Sequence, residues 1–161
     1  MNIQLIPVTY EKKETLRNLV ELYMYELSPY LDTIEINEFG LFDYRYLDHY
    51  WTEHERHPFF IYVSGKLAGF VLVIEFERLE EGEIKWLISE FFILKKHQKQ
   101  GIGRLAAQQV FDKFKGKWIV AQIESNVISQ LFWEQVISEY TKGKYIKTHL
   151  GKQPAHEFES I

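Results

Sequence analysis

The stretch from Ile84 to Ile123 constrains the fold of this chain more than any other. It reads as an apolar strand (Ile84–Leu94), an amphipathic helix with Ile102, Leu105, Ala106, Val110 and Phe114 on one side, and a second strand (Trp118–Ile123). A strand–helix–strand run joins two parallel strands by a right-handed crossover, because only that hand packs the helix back onto a right-twisted sheet. What precedes the unit differs in kind. Phe59–Val63 and Leu67–Phe76 are separated by Ser64-Gly65-Lys66, a hairpin signal, and Glu80-Glu81-Gly82 turns the chain into Ile84–Leu94. Links so short make an antiparallel meander. Ile84–Leu94 therefore belongs to both arrangements and must run through the interior of a mixed sheet.

The flanking segments complete this plan. Ile3–Val8 predicts a short strand. Glu11–Leu27 predicts a helix, with Leu16, Leu19, Val20, Tyr23 and Leu27 at helical spacing, and Ser28-Pro29 ends it because the residue before proline avoids helical backbone. Tyr30–Leu41 reads as loop. A second helix is expected over Phe42–His57, with Tyr46, Leu47, Tyr50, Trp51 and His54 on one face and Pro58 as its stop. Beyond Trp118–Ile123, Val127, Ile128, Leu131, Val136, Ile137 and Tyr140 mark a helix behind Ser125-Asn126, and Lys144–Leu150 with Ala155–Phe158 form a closing pair of strands. The order is β-α-α-β-β-β-α-β-α-β-β. It predicts an α/β (mixed α+β) fold, a mixed sheet with helices on both faces. No linker or repeat divides the 161 residues, so a single domain spanning 1–161 is expected.

Composition removes several classes of function. Cysteine is absent, which excludes disulfides, thiolate metal sites and a cysteine nucleophile; no metal is expected. No apolar run approaches the ~20 residues of a membrane span, and the N-terminus lacks the features of a signal peptide, so no membrane role and a cytoplasmic location are expected. A net charge of −4 argues against nucleic acid as a partner. The charge is uneven: residues 1–60 carry 11 acids and 5 bases, the remainder 12 acids and 14 bases. On a functional reading the acidic part faces a cationic acceptor and the basic part an anionic cofactor; on a plain one these are solvated surfaces.

The chemistry concentrates in Phe91–Arg104. An apolar strand runs into the basic loop Lys95-Lys96-His97-Gln98-Lys99-Gln100 and then into a helix opening on Gly101-Ile102-Gly103-Arg104. Glycines at a helix start free the backbone and leave no Cβ to obstruct a ligand, while unpaired N–H groups and the helix dipole favour phosphate. Lys95, Lys96, Lys99 and Arg104 add positive charge. Gly101-x-Gly103-x-x-Ala106, with Glu124 about twenty residues on, also fits a dinucleotide fingerprint. That pattern needs the glycines directly after the strand and the unit at the start of a parallel sheet. Here a polar loop intervenes, and the unit follows a meander.

Gln98-x-x-Gly101-x-Gly103 resembles the Q/R-x-x-G-x-G/A signature of the GNAT family of N-acetyltransferases. Phe91-x-Ile93 is similar to the strand that pairs with the pantetheine arm in that family, and Asn126 followed by Phe132-Trp133 resembles its segment after the next strand. The resemblance implies an acyltransferase that uses acetyl-CoA as co-substrate and an amine as acceptor. It implies that backbone groups around Phe92, Ile93 and Leu94 hold the pantetheine and polarise the acyl carbonyl. Gln98, Lys99, Gln100, Gly101, Ile102, Gly103 and Arg104 would hold the pyrophosphate, and Asn126 would reach the pantetheine arm, beside its plainer role as a helix cap. Glu90 is the foremost candidate for the general base, with Glu75 and Glu77 behind it. One position departs from the family pattern: Trp133 stands where many members carry the tyrosine that protonates the leaving thiolate, so either Trp133 only stabilises that thiolate or another group, such as Tyr140, supplies the proton. The departure keeps a non-catalytic acyl-CoA-binding module in play. Whether the chain pairs as a homodimer stays open.

Overall fold

In the computed structural model, which describes residues 1–161, seven strands form one sheet: β1 (Ile3–Pro7), β2 (Arg56–Val63), β3 (Lys66–Arg78), β4 (Ile84–Ile93), β5 (Gly116–Ala121), β6 (Tyr145–Leu150) and β7 (Gln153–Ser160). Their spatial order is β1-β2-β3-β4-β5-β7-β6. Neighbours are antiparallel except β4 and β5, which are parallel, so the mixed sheet has β4 at its centre as the sequence predicts. The β2–β3 hairpin turns on Ser64 and Gly65, with φ of 48° and 80°, the left-handed pair that suits strand twist. The helices are α1 (Lys13–Leu27), α2 (His49–Thr52), α3 (Ile102–Lys113) and α4 (Val127–Thr141). None is long and apolar enough to cross a membrane.

Each face of the sheet has its own core. Val71, Val73, Trp86, Ile88, Trp118 and Val120 pack against Val110 and Phe111 of α3 and Trp133 and Val136 of α4. On the other face Phe60, Phe70, Leu72 and Phe92 pack against Leu16, Leu19 and Val20 of α1, together with Leu47 and Tyr50. Full burial of each such side chain contributes about 1.5–3 kcal/mol.

The helix expected over Phe42–His57 shrinks to one turn at His49–Thr52. The upstream backbone is committed elsewhere: the N–H groups of Phe42 and Asp43 donate to the Glu21 carboxylate on α1, at 2.8 and 2.9 Å, and Asp43 has a left-handed φ of 52°. Leu47 and Tyr50 still reach the core, which is what gave the segment its helical pattern. Nor does Pro58 stop a helix; it lies within β2. Its carbonyl accepts from Val8 N–H at 2.9 Å, and the Val8 carbonyl that its missing N–H would meet accepts instead from the Trp51 indole at 3.0 Å.

One irregularity in β4 governs the site. Leu72 pairs with Glu90 and Val73 with Ile88, so Ser89 is an extra residue, a β-bulge. Before the bulge Trp86 and Ile88 face α3 and α4; after it Phe91 and Ile93 do. The parity change turns Glu90 and Phe92 toward α1.

Candidate active site

β4 and β5 pair only at Lys85–Lys117, Trp86–Trp118 and Leu87–Ile119. Beyond these residues the strands part and open a cleft of about 900 Å³, walled by β4, the β5 end, the α3 start and α4. The Leu94 N–H donates to the Ala68 carbonyl at 2.8 Å, and Ile93, Phe92 and Phe91 oppose Gly69, Phe70 and Val71. Bonding direction alternates along an antiparallel pair, so Phe92 and Leu94 turn their backbone groups toward β3, whereas Phe91 and Ile93 turn theirs into the cleft. The Phe92 carbonyl approaches Gly69 so closely that a Cβ there would lie 1.9 Å from its oxygen. The expectation that Phe92 and Leu94 offer main-chain groups to a ligand is thereby corrected: the ladder to β3 uses them. Phe91 and Ile93 are the residues that face the cleft, and Gln98 takes the Ile93 carbonyl. The Phe91-x-Ile93 spacing was the signal for this pair.

Gln98 also serves differently from expectation. Its side-chain amide donates to the Ile93 carbonyl at 2.8 Å and braces the loop against the strand. The backbone N–H groups of Lys99, Gln100, Gly101, Ile102, Gly103 and Arg104 donate to no acceptor in the protein; the first helical bond is Leu105 N–H to Gly101. Six consecutive free donors at a helix start make an anion nest. Gly101, at φ 83°, needs glycine for its backbone, and Gly103 needs it for packing, since a Cβ would stand 3.2 Å from the Phe132 ring. Gly103 thus clears room for α4 and not only for a ligand. The Ile102 side chain is core, and that of Gln100 bonds the Lys96 carbonyl, so these two contribute backbone alone. Lys95 pairs with Glu26 at 3.3 Å and Arg104 with Glu139 at 3.6 Å, while Lys96 and Lys99 have no ion-pair partner. A pyrophosphate suits such a nest, and extended amides suit the exposed edge at Phe91 and Ile93. No three metal-binding side chains converge anywhere in the chain.

α4 presents Asn126, Ser129, Phe132, Trp133 and Val136 to the cleft. Asn126 caps the helix, its Oδ1 accepting from Ser129 N–H at 3.1 Å, and it still borders the opening. Trp133 is buried edge-on to Phe91 and Phe132, at 5.0 and 5.1 Å between ring centres. Tyr140 is corrected as a proton donor: its hydroxyl donates to Asp112 at 2.7 Å and lies 2.7 Å from the Ser160 hydroxyl, away from the cleft. A residue the sequence did not signal is Gln122, which is buried and borders the cleft with its Oε1 lacking a partner.

Glu90 lies where the cleft meets α1. The Tyr23 hydroxyl donates to its Oε1 at 2.8 Å. Burial pushes its carboxyl up to about 7, against the opposing influence of the Tyr23 and Tyr44 hydroxyls. Glu75 and Glu77 do not border the cleft, and Glu75 pairs with Arg78 at 3.1 Å. Of the acids in residues 1–60 only Glu26 borders it, so most of that negative surface faces elsewhere. Of the aromatic residues there, Tyr23 and Tyr30 contribute; Tyr50 is core, and Tyr25 and Phe39 point to solvent. The Ser125 hydroxyl donates to the Tyr30 carbonyl at 2.7 Å, tying the α4 start to the α1 end.

The model of the acetyltransferase (GNAT) family matches residues 18–137. No curated protein matches the sequence. Among solved structures, an acetyltransferase from Thermus thermophilus superposes with a TM-score of 0.68 at 17% identity, covering 99% of this chain and 97% of its own. A spermidine N-acetyltransferase from Vibrio cholerae, solved with CoA and spermine, gives 0.67 at 14% identity over 98% and 95%. The PaiA N-acetyltransferase from Thermoplasma acidophilum, solved with coenzyme A, gives 0.64 at 14% over 99% of both chains.

Proposed function

The chain belongs to the acetyltransferase (GNAT) family, and from that premise we propose that it moves an acetyl group from acetyl-CoA to a cationic amine, with Glu90 as general base. The observation that carries this reading is the Glu90 carboxyl: it borders the cleft, is held by Tyr23 at 2.8 Å, and titrates near neutrality.

Acetyl-CoA, when bound, supplies an acyl carbonyl activated by its thiol leaving group. The free N–H groups of Lys99–Arg104 would bind its pyrophosphate, helped by Lys96 and Lys99. The main-chain groups of Phe91 and Ile93 would bind the pantetheine amides and polarise the carbonyl, with Asn126 and Phe132 bordering the arm. An alkylammonium, with a pKa near ~10.4, must lose a proton before it can attack. A carboxylate titrating near 7 accepts that proton at neutral pH better than an ordinary glutamate. The nitrogen would shed its second proton as the carbon–sulfur bond breaks, and that proton, carried by water, would end on the departing sulfur as the thiol. Trp133 would donate a hydrogen bond to the departing sulfur, since an indole N–H is too weak an acid to give up its proton.

The acceptor side favours positive charge. Glu26 and Glu90 border the cleft beside the rings of Tyr23 and Tyr30, which suits a small amine, a polyamine or a lysine side chain. The similarity to a polyamine-acetylating structure points the same way.

Trp133 favours one alternative, a non-catalytic acyl-CoA-binding module. Thiol release from acetyl-CoA across a panel of cationic, neutral and anionic acceptors separates the two. The expected result is turnover with cationic amines and a loss of about 10²-fold or more in Glu90→Gln. Tight CoA binding with no turnover on any acceptor would establish the module instead.

A further inference from the structure

We propose that Tyr23 is a positioning residue that holds the Glu90 carboxylate for proton transfer. The inference rests on Glu90 being the base, and it adds a residue that acts on the reaction through Glu90.

Tyr23 is rigid. It sits on α1 with its ring against Phe70 and Phe92, at 5.5 and 5.6 Å between centres, and its hydroxyl donates to Glu90 Oε1 at 2.8 Å. Those rings are themselves seated in the α1-side core, so the hydroxyl is placed by packing.

Among the groups around Glu90, Tyr23 is the one that donates a hydrogen bond to it. Tyr23 faces it from α1, Tyr44 from the loop, Tyr50 from α2 and Ser89 from β4 itself, while β3 offers Leu72 and Phe70. No cationic side chain acts on it. A carboxylate accepts several hydrogen bonds, so donors on the α1 side leave its other lone pairs for an amine in the cleft. The Tyr23 phenol is pushed far up by burial and by the Glu90 charge, so it acts as a donor and not as a proton relay.

The test follows the Glu90 carboxyl directly, by carboxyl-carbon NMR across pH, with Glu90→Gln identifying its signal. Removing one hydroxyl from a charged acceptor should raise the Glu90 midpoint by about one unit in Tyr23→Phe. In parallel, kcat/KM is measured with acetyl-CoA and spermidine as probe amine. Its acidic limb should shift upward with the midpoint, leaving Tyr23→Phe about tenfold slower at low pH and close to wild type at alkaline pH. CoA affinity and thermal midpoints confirm that each variant is folded. A midpoint unmoved in Tyr23→Phe, or a rate loss equal at every pH, overturns the inference. Full activity in Glu90→Gln sinks the base reading and this inference with it; a dead Glu90→Gln beside an unmoved Tyr23→Phe midpoint sinks this inference alone.

Discussion

Replacing Glu90 by glutamine should make the protein more stable while removing its activity, and the gain should depend on pH. In the folded chain the carboxyl is pushed from 4.5 up to about 7, chiefly by burial. Between those values the native state keeps a proton that the unfolded chain gives up. Stability from this group is therefore complete below about pH 4.5 and is lost as pH rises through about 7. At about 1.36 kcal/mol per unit, the ionised carboxylate costs about 3 kcal/mol at pH 8. Glutamine has the same shape, can still accept from the Tyr23 hydroxyl, and carries no charge. The variant should match wild type near pH 4, gain progressively above it, and level off above pH 7 at up to about 3 kcal/mol. For a chain of this size that is about 6–12 °C in thermal midpoint. Urea and thermal unfolding of both proteins from pH 4 to 8, in one buffer series, measure it. Curves that stay parallel, or a variant less stable at pH 8, would refute the claim that Glu90 is held at the expense of the fold.

Gly101→Ala should weaken CoA binding by about 1–2 kcal/mol with little loss of fold, because an alanine at φ 83° is strained and the space around it is open; calorimetry measures it. Gly103→Val should instead lower the thermal midpoint, since the new side chain meets the Phe132 ring at 3.2 Å or less and prises α4 from α3. The two ring nitrogens of His156 are buried without hydrogen-bond partners, and burial lowers its pKa, so its contribution is present above about pH 6.5 and lost as pH falls; His156→Leu should flatten the acid side of the stability profile measured by urea unfolding. For a cationic acceptor, kcat/KM should fall modestly as salt rises, because Glu26 and Glu90 are the acids bordering the cleft; a flat salt series would remove charge steering from the acceptor reading.

The sequence carried the plan of the sheet because that plan rests on local signals. Short turns enforce the meander, and the helix between Ile84–Leu94 and Trp118–Ile123 enforces the parallel crossover. It carried the anion nest for the same reason, since Gly101 marks a left-handed helix start. Phe42–His57 misled because Leu47 and Tyr50 reach the core from turns, while Glu21, twenty-one residues before Phe42, takes the backbone donors a helix would need. The Glu90 setting was legible only as a residue type. Its direction depends on the Ser89 bulge, a register event between two strands, and its titration depends on burial and, against it, on the hydroxyl of Tyr23, sixty-seven residues away in sequence. The plainer reading of residues 1–60, an acidic solvated surface, holds for most of those acids, since charge counting cannot tell which side of the sheet a helix covers.

The parting of β4 from β5 has a consequence for how such a protein can change over generations. On the proposed function, the donor side of the cleft is built from main-chain groups, at Phe91 and Ile93 and along Lys99–Arg104. A main-chain group is the same whatever side chain it carries, so substitutions that preserve the backbone path leave that half of the site chemically intact. The acceptor side, on the same reading, is built from side chains, among them Glu26 and Tyr30, which border the opening. Each of those can be exchanged without disturbing a ladder hydrogen bond. A scaffold divided this way has a half that drift cannot easily erase and a half that drift can readily rewrite. A new acceptor then lies a few point mutations away, while the acyl donor stays the same.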